Sequence, residues 1–243
     1  LVKNLKDKGI LVVNKDDENS IFFKQATSKK TLEWSERDAF DYKTHLIGDF
    51  NKKNILASVA LAKAFGINEG DIRKGVENVS VIKGRAEFVK IGDKQNFDVV
   101  VDYAHTSDSL KELYKAFDGK RKICVLGNTG GGRDKWKRPE MAKVADEHCD
   151  EVYLTNEDPY DEDPNQIIKD MLPGFKKNTP KIIMDRREAI NSAIKNAKSG
   201  DAVLITGKGT DPYIMLANNE RLSWSDYEVA KEELEKNLQN KTA

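Results

Sequence analysis

The chain has 243 residues, 38% of them hydrophobic, with 41 basic and 41 acidic side chains and a net charge of zero. That length suits one large domain or two modest ones, and the balanced charge leaves no electrostatic footprint for nucleic acid or an acidic membrane surface. No apolar stretch approaches the ~20 residues of a spanning helix and no signal-peptide pattern occurs, so the expected location is cytoplasmic, with no membrane partner.

The first twenty residues read as the end of a helix, a short strand at 10–13 and a turn. That is mid-domain material, and the chain is expected to be a fragment. Strands are predicted at 20–24 and 31–34. In the next segment Ile55, Leu56, Val59, Ala60 and Ala62 recur at helical spacing, predicting a helix over 51–65 with Asn51 as a cap and Gly66 closing it. A shorter helix follows Asn68, near 69–78. Lys83-Gly84-Arg85 then precedes a new strand at 86–91, a hairpin turn at Gly92-Asp93-Lys94 and a strand at 97–101. The domain boundary is placed at 83–85, giving domains 1–84 and 85–243.

From here apolar runs of four to six residues without alternation suit strands covered on both faces. Helical patterns follow them at 107–117, 137–148, 164–172 and 186–198. This alternation predicts an α/β fold with a mostly parallel sheet. The chain closes with strands at 213–216 and 221–224 around an Asn218-Asn219 turn, then a charged helix from Asp226 to about Leu238. The two cysteines, Cys124 and Cys149, are expected to be buried and reduced, and their spacing fits no metal site.

Four strand ends carry chemically capable residues: VVVDYAHTSD, VLGNTGGGRDK, YLTNEDP and LITGKGTD. In open α/β sheets ligands bind beyond the carboxyl ends of the strands. Asp102 suits a ribose diol, or merely a set of backbone bonds at a helix entry; Tyr103 and His105 lie beside it. The glycine loop at 127–132 lacks the Gly-Lys-Ser/Thr ending of a Walker loop, but its glycines and Arg133 suit an anion, with the guanidinium as a planar fork for a carboxylate. Glu157 and Asp158 suit a ligand ammonium or a divalent cation, or form a solvated acidic loop. The Gly207-Lys208-Gly209 turn is weak evidence alone. Asn54 suits a purine edge.

Read in order, VVNKDD, GDFNKKNILASVALA, KGRAEFV, VVDYAHTSDSL, GGGRDKWKRPEMA, TNEDPYDEDP, DRREAI and LITGKGTD resemble the Mur ligases, ATP-dependent amide-forming enzymes of peptidoglycan precursor synthesis. The branch most resembled adds the third amino acid to UDP-N-acetylmuramoyl-L-alanyl-D-glutamate. The resemblance implies that residues 1–84 are the back part of a P-loop-type central ATPase domain and that 85–243 form a Rossmann-like C-terminal domain. It places Asn51, Asn54, Arg85, Asp102, Tyr103 and His105 at the nucleotide, and Arg133, Glu157, Asp158, Gly207 and Asp211 at the added amino acid. ATP and Mg²⁺ are the implied cofactors, and a UDP-N-acetylmuramoyl-dipeptide and a free amino acid the substrates. The Walker loop and Mg²⁺ ligands belong upstream of this chain, so no catalytic residue is assigned and the chain alone is expected to have no turnover. A monomer is expected.

Relatives that add meso-diaminopimelate carry an arginine in Asp-Asn-Pro-Arg, where this chain has Tyr160, and Gly-Lys-Gly-His-Glu, where it has Thr210 and Asp211. In the glycine loop, Gly132 and Trp136 also depart from the family pattern. The differences at Tyr160, Thr210 and Asp211 predict a preference for L-lysine or a similar diamino acid. The competing readings are a non-catalytic nucleotide- or amino-acid-binding fragment, another Mur-like ligase, and a Rossmann dehydrogenase. The absence of GxGxxG after any strand argues against the last.

Overall fold

The computed structural model describes residues 2–240 and separates into two compact units, Leu1–Val81 and Ile82–Ala243. In the first unit, β1 (Ile10–Asn14) and β2 (Lys30–Trp34) form a parallel pair. Between them lies α1 (Ser20–Gln25), not the expected strand. A short apolar run cannot be told from a helical turn by periodicity. Here the turn at Asp17, whose carbonyl accepts from the Ser20 amide, starts a helix. α2 (Asp49–Ala64) and α3 (Glu69–Asn78) complete this unit around Ile55, Val59 and Ile72.

α2 begins two residues earlier than expected. Gly48, at φ +85°, is its N-cap, a conformation that favours glycine. Asn51 therefore sits inside the first turn and donates from Nδ2 to the Ile47 carbonyl at 2.8 Å, rather than capping the helix. Asn68 does cap α3, accepting from the Asp71 amide. Phe65 occupies the C-cap of α2 and Gly66, at φ +76°, the next position.

The second unit is a six-stranded sheet ordered β3 (Glu87–Phe88), β4 (Asp98–Asp102), β8 (Ala202–Thr206), β5 (Lys122–Leu126), β6 (Glu151–Leu154) and β7 (Lys181–Ile182). β3 runs antiparallel to β4 and every other pairing is parallel. β3 is shorter than the run at 86–91 suggested, and β7 escaped sequence reading because two exposed residues leave no apolar pattern. β5 and β8 are buried along their whole length, as central strands covered on both faces must be. α7 (Arg186–Asn196) and α8 (Asp226–Asn240) cover one face with Ile190, Ile194, Val229 and Leu234 against Val99, Val125, Val203 and Ile205. α4 (Ser107–Lys115), α5 (Lys137–His148) and α6 (Pro164–Met171) pack side by side in the order α4, α5, α6. A capping box between Thr106 and Ser109 opens α4. The hairpin of β9 (Tyr213–Met215) and β10 (Arg221–Ser223) turns through Asn218 and Asn219, both at positive φ.

The cysteines correct the sequence expectation: Cys124 and Cys149 are joined in a disulfide, with Cα atoms 6.2 Å apart. The β5–α5–β6 crossover explains the meeting. β6 pairs with β5 in parallel, Cys124 opposite Val152, so the chain returns to the start of the neighbouring strand after 25 residues. Sequence separation hid a proximity that topology creates.

Candidate functional site

The carboxyl ends of β4, β8, β5 and β6 open into a cleft of about 600 Å³. Seven of the eleven expected site residues line it: Tyr103, His105, Arg133, Glu157, Asp158, Gly207 and Asp211. Asn51 and Asn54 belong to the first unit. There Asn51 is buried, and exposed Asn54 donates to its Oδ1 at 3.4 Å. Arg85 and Asp102 are in the second unit but do not line the cleft.

The acidic end of β6 holds two carboxylates in different states. Glu157 is 2% exposed; its Oε1 accepts from the Thr129 hydroxyl at 2.9 Å, and its Oε2 has no partner. Burial raises its pKa, against the pull of Arg186. Gly207, at φ +107°, makes room for this side chain: a Cβ there would stand 2.1 Å from Glu157 Oε2. Asp158 is already spent. Lys208 Nζ donates to its two oxygens at 2.8 and 2.7 Å, and the Met215 amide donates to Oδ1 at 2.8 Å. Lys208 also lies 3.6 Å from Asp211, whose side chain is 41% exposed.

The glycine loop supplies the facing wall. The Gly130 amide donates to the Asp158 carbonyl at 2.8 Å, and a Cβ on Gly130 would meet the Pro159 carbonyl at 2.2 Å. Gly131, at φ +65°, packs under the Tyr160 ring, and Tyr160 itself is left-handed at φ +51°. The loop thus brings Arg133, exposed and without an ion pair among the described residues, to the cleft rim. Trp136, 71% exposed, stands on the same rim. On the β4 side, the Tyr103 and His105 rings meet edge to face at 4.8 Å. His105 Nδ1 lies 2.7 Å from the Tyr103 carbonyl oxygen, and the Arg85 guanidinium covers the Tyr103 ring at 4.7 Å.

Buried arginines hold this frame. Arg186 donates to both oxygens of Asp226 at 2.8 and 2.7 Å and to the Thr206 carbonyl at 2.8 Å, joining α7, α8 and the end of β8. Arg138, fully buried, forks onto Glu162 at 2.8 Å through both nitrogens and reaches Asp170. Sequence reasoning missed both anchors, and missed Lys208 as the counterion of Asp158. DRREAI marked the first only as a signature, and nothing in RDKWKRP separates buried Arg138 from the half-buried and exposed residues around it. Among the described residues, no group of three or more His, Cys, Asp and Glu is placed to hold a metal ion, and no helix is long and apolar enough to cross a membrane.

A family profile described as Mur ligase, glutamate ligase domain, matches residues 84–209. A UDP-N-acetylmuramoyl-L-alanyl-D-glutamate--2,6-diaminopimelate ligase of Trichormus variabilis is 40% identical over 205 residues, 83% of this chain and 41% of the relative. One of Bacillus licheniformis is 38% identical over 247 residues, 90% of this chain and 50% of the relative. A solved structure of a ligase with the same name superposes with a TM-score of 0.60 at 28% identity, covering 93% of this chain and 53% of that one. The chain thus spans half or less of the length of these two curated relatives. Their names specify diaminopimelate, not the lysine-like amino acid that Tyr160 led us to expect.

Proposed function

This chain belongs to the Mur ligase family, and from that premise we propose that it is the C-terminal part of an ATP-dependent ligase. That ligase adds a diamino acid to UDP-N-acetylmuramoyl-L-alanyl-D-glutamate in the cytoplasm. The observation that carries the reading is the single cleft at the sheet edge, where expected nucleotide residues (Tyr103, His105) and expected amino-acid residues (Arg133, Glu157, Gly207, Asp211) line one space. In the proposed reaction the dipeptide carboxylate takes the γ-phosphoryl group of ATP and releases ADP; the neutral amine of the amino acid then attacks the acyl phosphate, expelling inorganic phosphate and losing a proton as the amide forms.

The contribution of this unit is positioning. Arg133, the unpaired fork, takes the α-carboxylate of the amino acid. Glu157 Oε2 and Asp211 face its amino groups, while Asp158 acts indirectly by fixing Lys208 and the 207–211 turn. The flat Tyr103 and His105 rings and the Arg85 guanidinium suit a nucleotide, with Asp102 proposed at the ribose. The residues described here do not fit a Mg²⁺ site, so no step is assigned to one. Residues 1–84 are proposed as part of the central ATPase domain.

A second reading concerns the amino acid. Tyr160, pinned against Gly131, presents no guanidinium for a distal carboxylate, which favours L-lysine over the diaminopimelate of the relatives' names. ADP release by the full-length enzyme, assayed with both amino acids, tests the two levels. No ADP release with any amino acid rejects the ligase reading. Equal kcat/KM for both substrates, or a higher value for diaminopimelate, rejects only the lysine preference.

A further inference from the structure

The entry of the chain into the second unit is backbone-strained. Gly84 lies at φ +65° and Ala86 at φ +46°. The first is cheap for glycine, but a residue with a Cβ adopts the second only when its surroundings enforce it. The enforcing group is a carboxylate at the end of β4. Asp102, at the end of β4 and 6% exposed, accepts from the Ala86 amide through Oδ2 at 2.6 Å and from the Ala104 amide through Oδ1 at 2.7 Å. Its main-chain carbonyl accepts from the Gly207 amide at 3.2 Å. One residue thus joins the entry turn, the 102–105 loop and the turn after β8.

The contacts around it leave no slack. A Cβ on Gly84 would stand 2.6 Å from the Thr210 amide nitrogen, and one on Gly209 would stand 2.6 Å from Tyr103 Cβ and 2.9 Å from the Gly84 carbonyl. The Gly84 amide is held by Glu87 Oε2 at 2.6 Å. The entry turn and the Gly-Lys-Gly turn therefore lie backbone against backbone, and Lys208, between the two glycines there, carries the ion pair to Asp158.

We propose that Asp102 is a positioning residue, a latch whose carboxylate holds the Ala86 amide and so fixes the entry turn against the turn that bears Lys208. This role goes beyond the ribose contact proposed above and does not depend on it, because it is complete without any nucleotide.

The test uses the 243-residue chain without ligands, comparing it with Asp102→Ala and Asp102→Asn by amide hydrogen exchange and timed trypsin digestion. Lys83 and Arg85 are exposed but flanked by buried Gly84 and Ala86, so a held turn resists cleavage there. With Asp102→Ala, exchange at Ala86 and Ala104 should quicken at least tenfold. Cleavage after Lys83 or Arg85 should appear, while amides of β5 and β8 keep their protection. Asparagine offers one acceptor and one donor against two amide donors, so Asp102→Asn should release one of the two amides. Wild-type protection at both amides in both variants would overturn the proposal. So would uniform loss of protection across the sheet in Asp102→Asn, which would mark Asp102 as a general folding residue. Nucleotide affinity, measured separately, reports on the ribose contact alone.

Discussion

Lys208 and Asp158 neutralise each other inside the unit, with Nζ 2.7 and 2.8 Å from the two carboxylate oxygens and the lysine side chain 1% exposed. Removing one partner of such a pair leaves an uncompensated buried charge. Lys208→Met should therefore destabilise the second unit by about 3–5 kcal/mol, read as a shift of the urea midpoint. Adding Asp158→Asn should recover part of that loss, since the stranded charge is then gone.

Gly207 is irreplaceable for two separate reasons, its φ of +107° and the 2.1 Å that a Cβ would leave to Glu157. Gly207→Ala should cost about 1–3 kcal/mol for the backbone alone and push Glu157 out of its place. Calorimetric titration with the preferred amino acid should show weakened binding, whereas Gly200→Ala, on an open surface, should leave binding unchanged.

Two glutamates should divide the pH dependence of stability. Arg138, then Lys135, hold the Glu162 pKa down to about 2 from an ordinary 4.5. A carboxylate depressed on folding stabilises above its unfolded value and loses that contribution as pH falls through the window from 4.5 to about 2. Glu162→Gln should flatten that part of the curve. Burial instead raises Glu157 above 4.5. The native state then holds more protons than the unfolded chain just above 4.5, and stability falls as pH rises through that window. Glu157→Gln should remove this decline. Denaturation midpoints across pH 2–8 check both signs.

Arg186 makes three close bonds, to the two oxygens of Asp226 and to the Thr206 carbonyl. A lysine cannot reproduce that planar fork. Arg186→Lys should cost about 1.5–3 kcal/mol, the scale of charged hydrogen bonds, and should loosen α8 first, visible as faster exchange of its amides.

The parallel sheet was legible because β4, β5 and β8 are continuous apolar runs and their helices follow with regular spacing. α5 was predicted at 137–148 and is observed there. The cleft was legible through its family motifs, as position but not as state. EDP gives no sign that Asp158 is paired with Lys208 while Glu157 keeps an unpartnered oxygen, since that difference is made by a turn 50 residues away. The first unit was harder to read. SIFFKQ has too few residues to establish a period, and Gly48 started α2 through a dihedral angle that composition does not display.

The Cys124–Cys149 bond also changes the connectivity of the molecule. It closes the last three residues of β5, the glycine loop, Arg133, Trp136 and all of α5 into a covalent ring. A protease that cuts once between residues 125 and 148, for instance at the exposed Arg133–Lys135 stretch, would open the ring without releasing a fragment. The nicked protein would migrate as a single chain until reductant is added and as two pieces afterwards. One wall of the cleft can therefore be severed while both of its ends remain tied to the sheet.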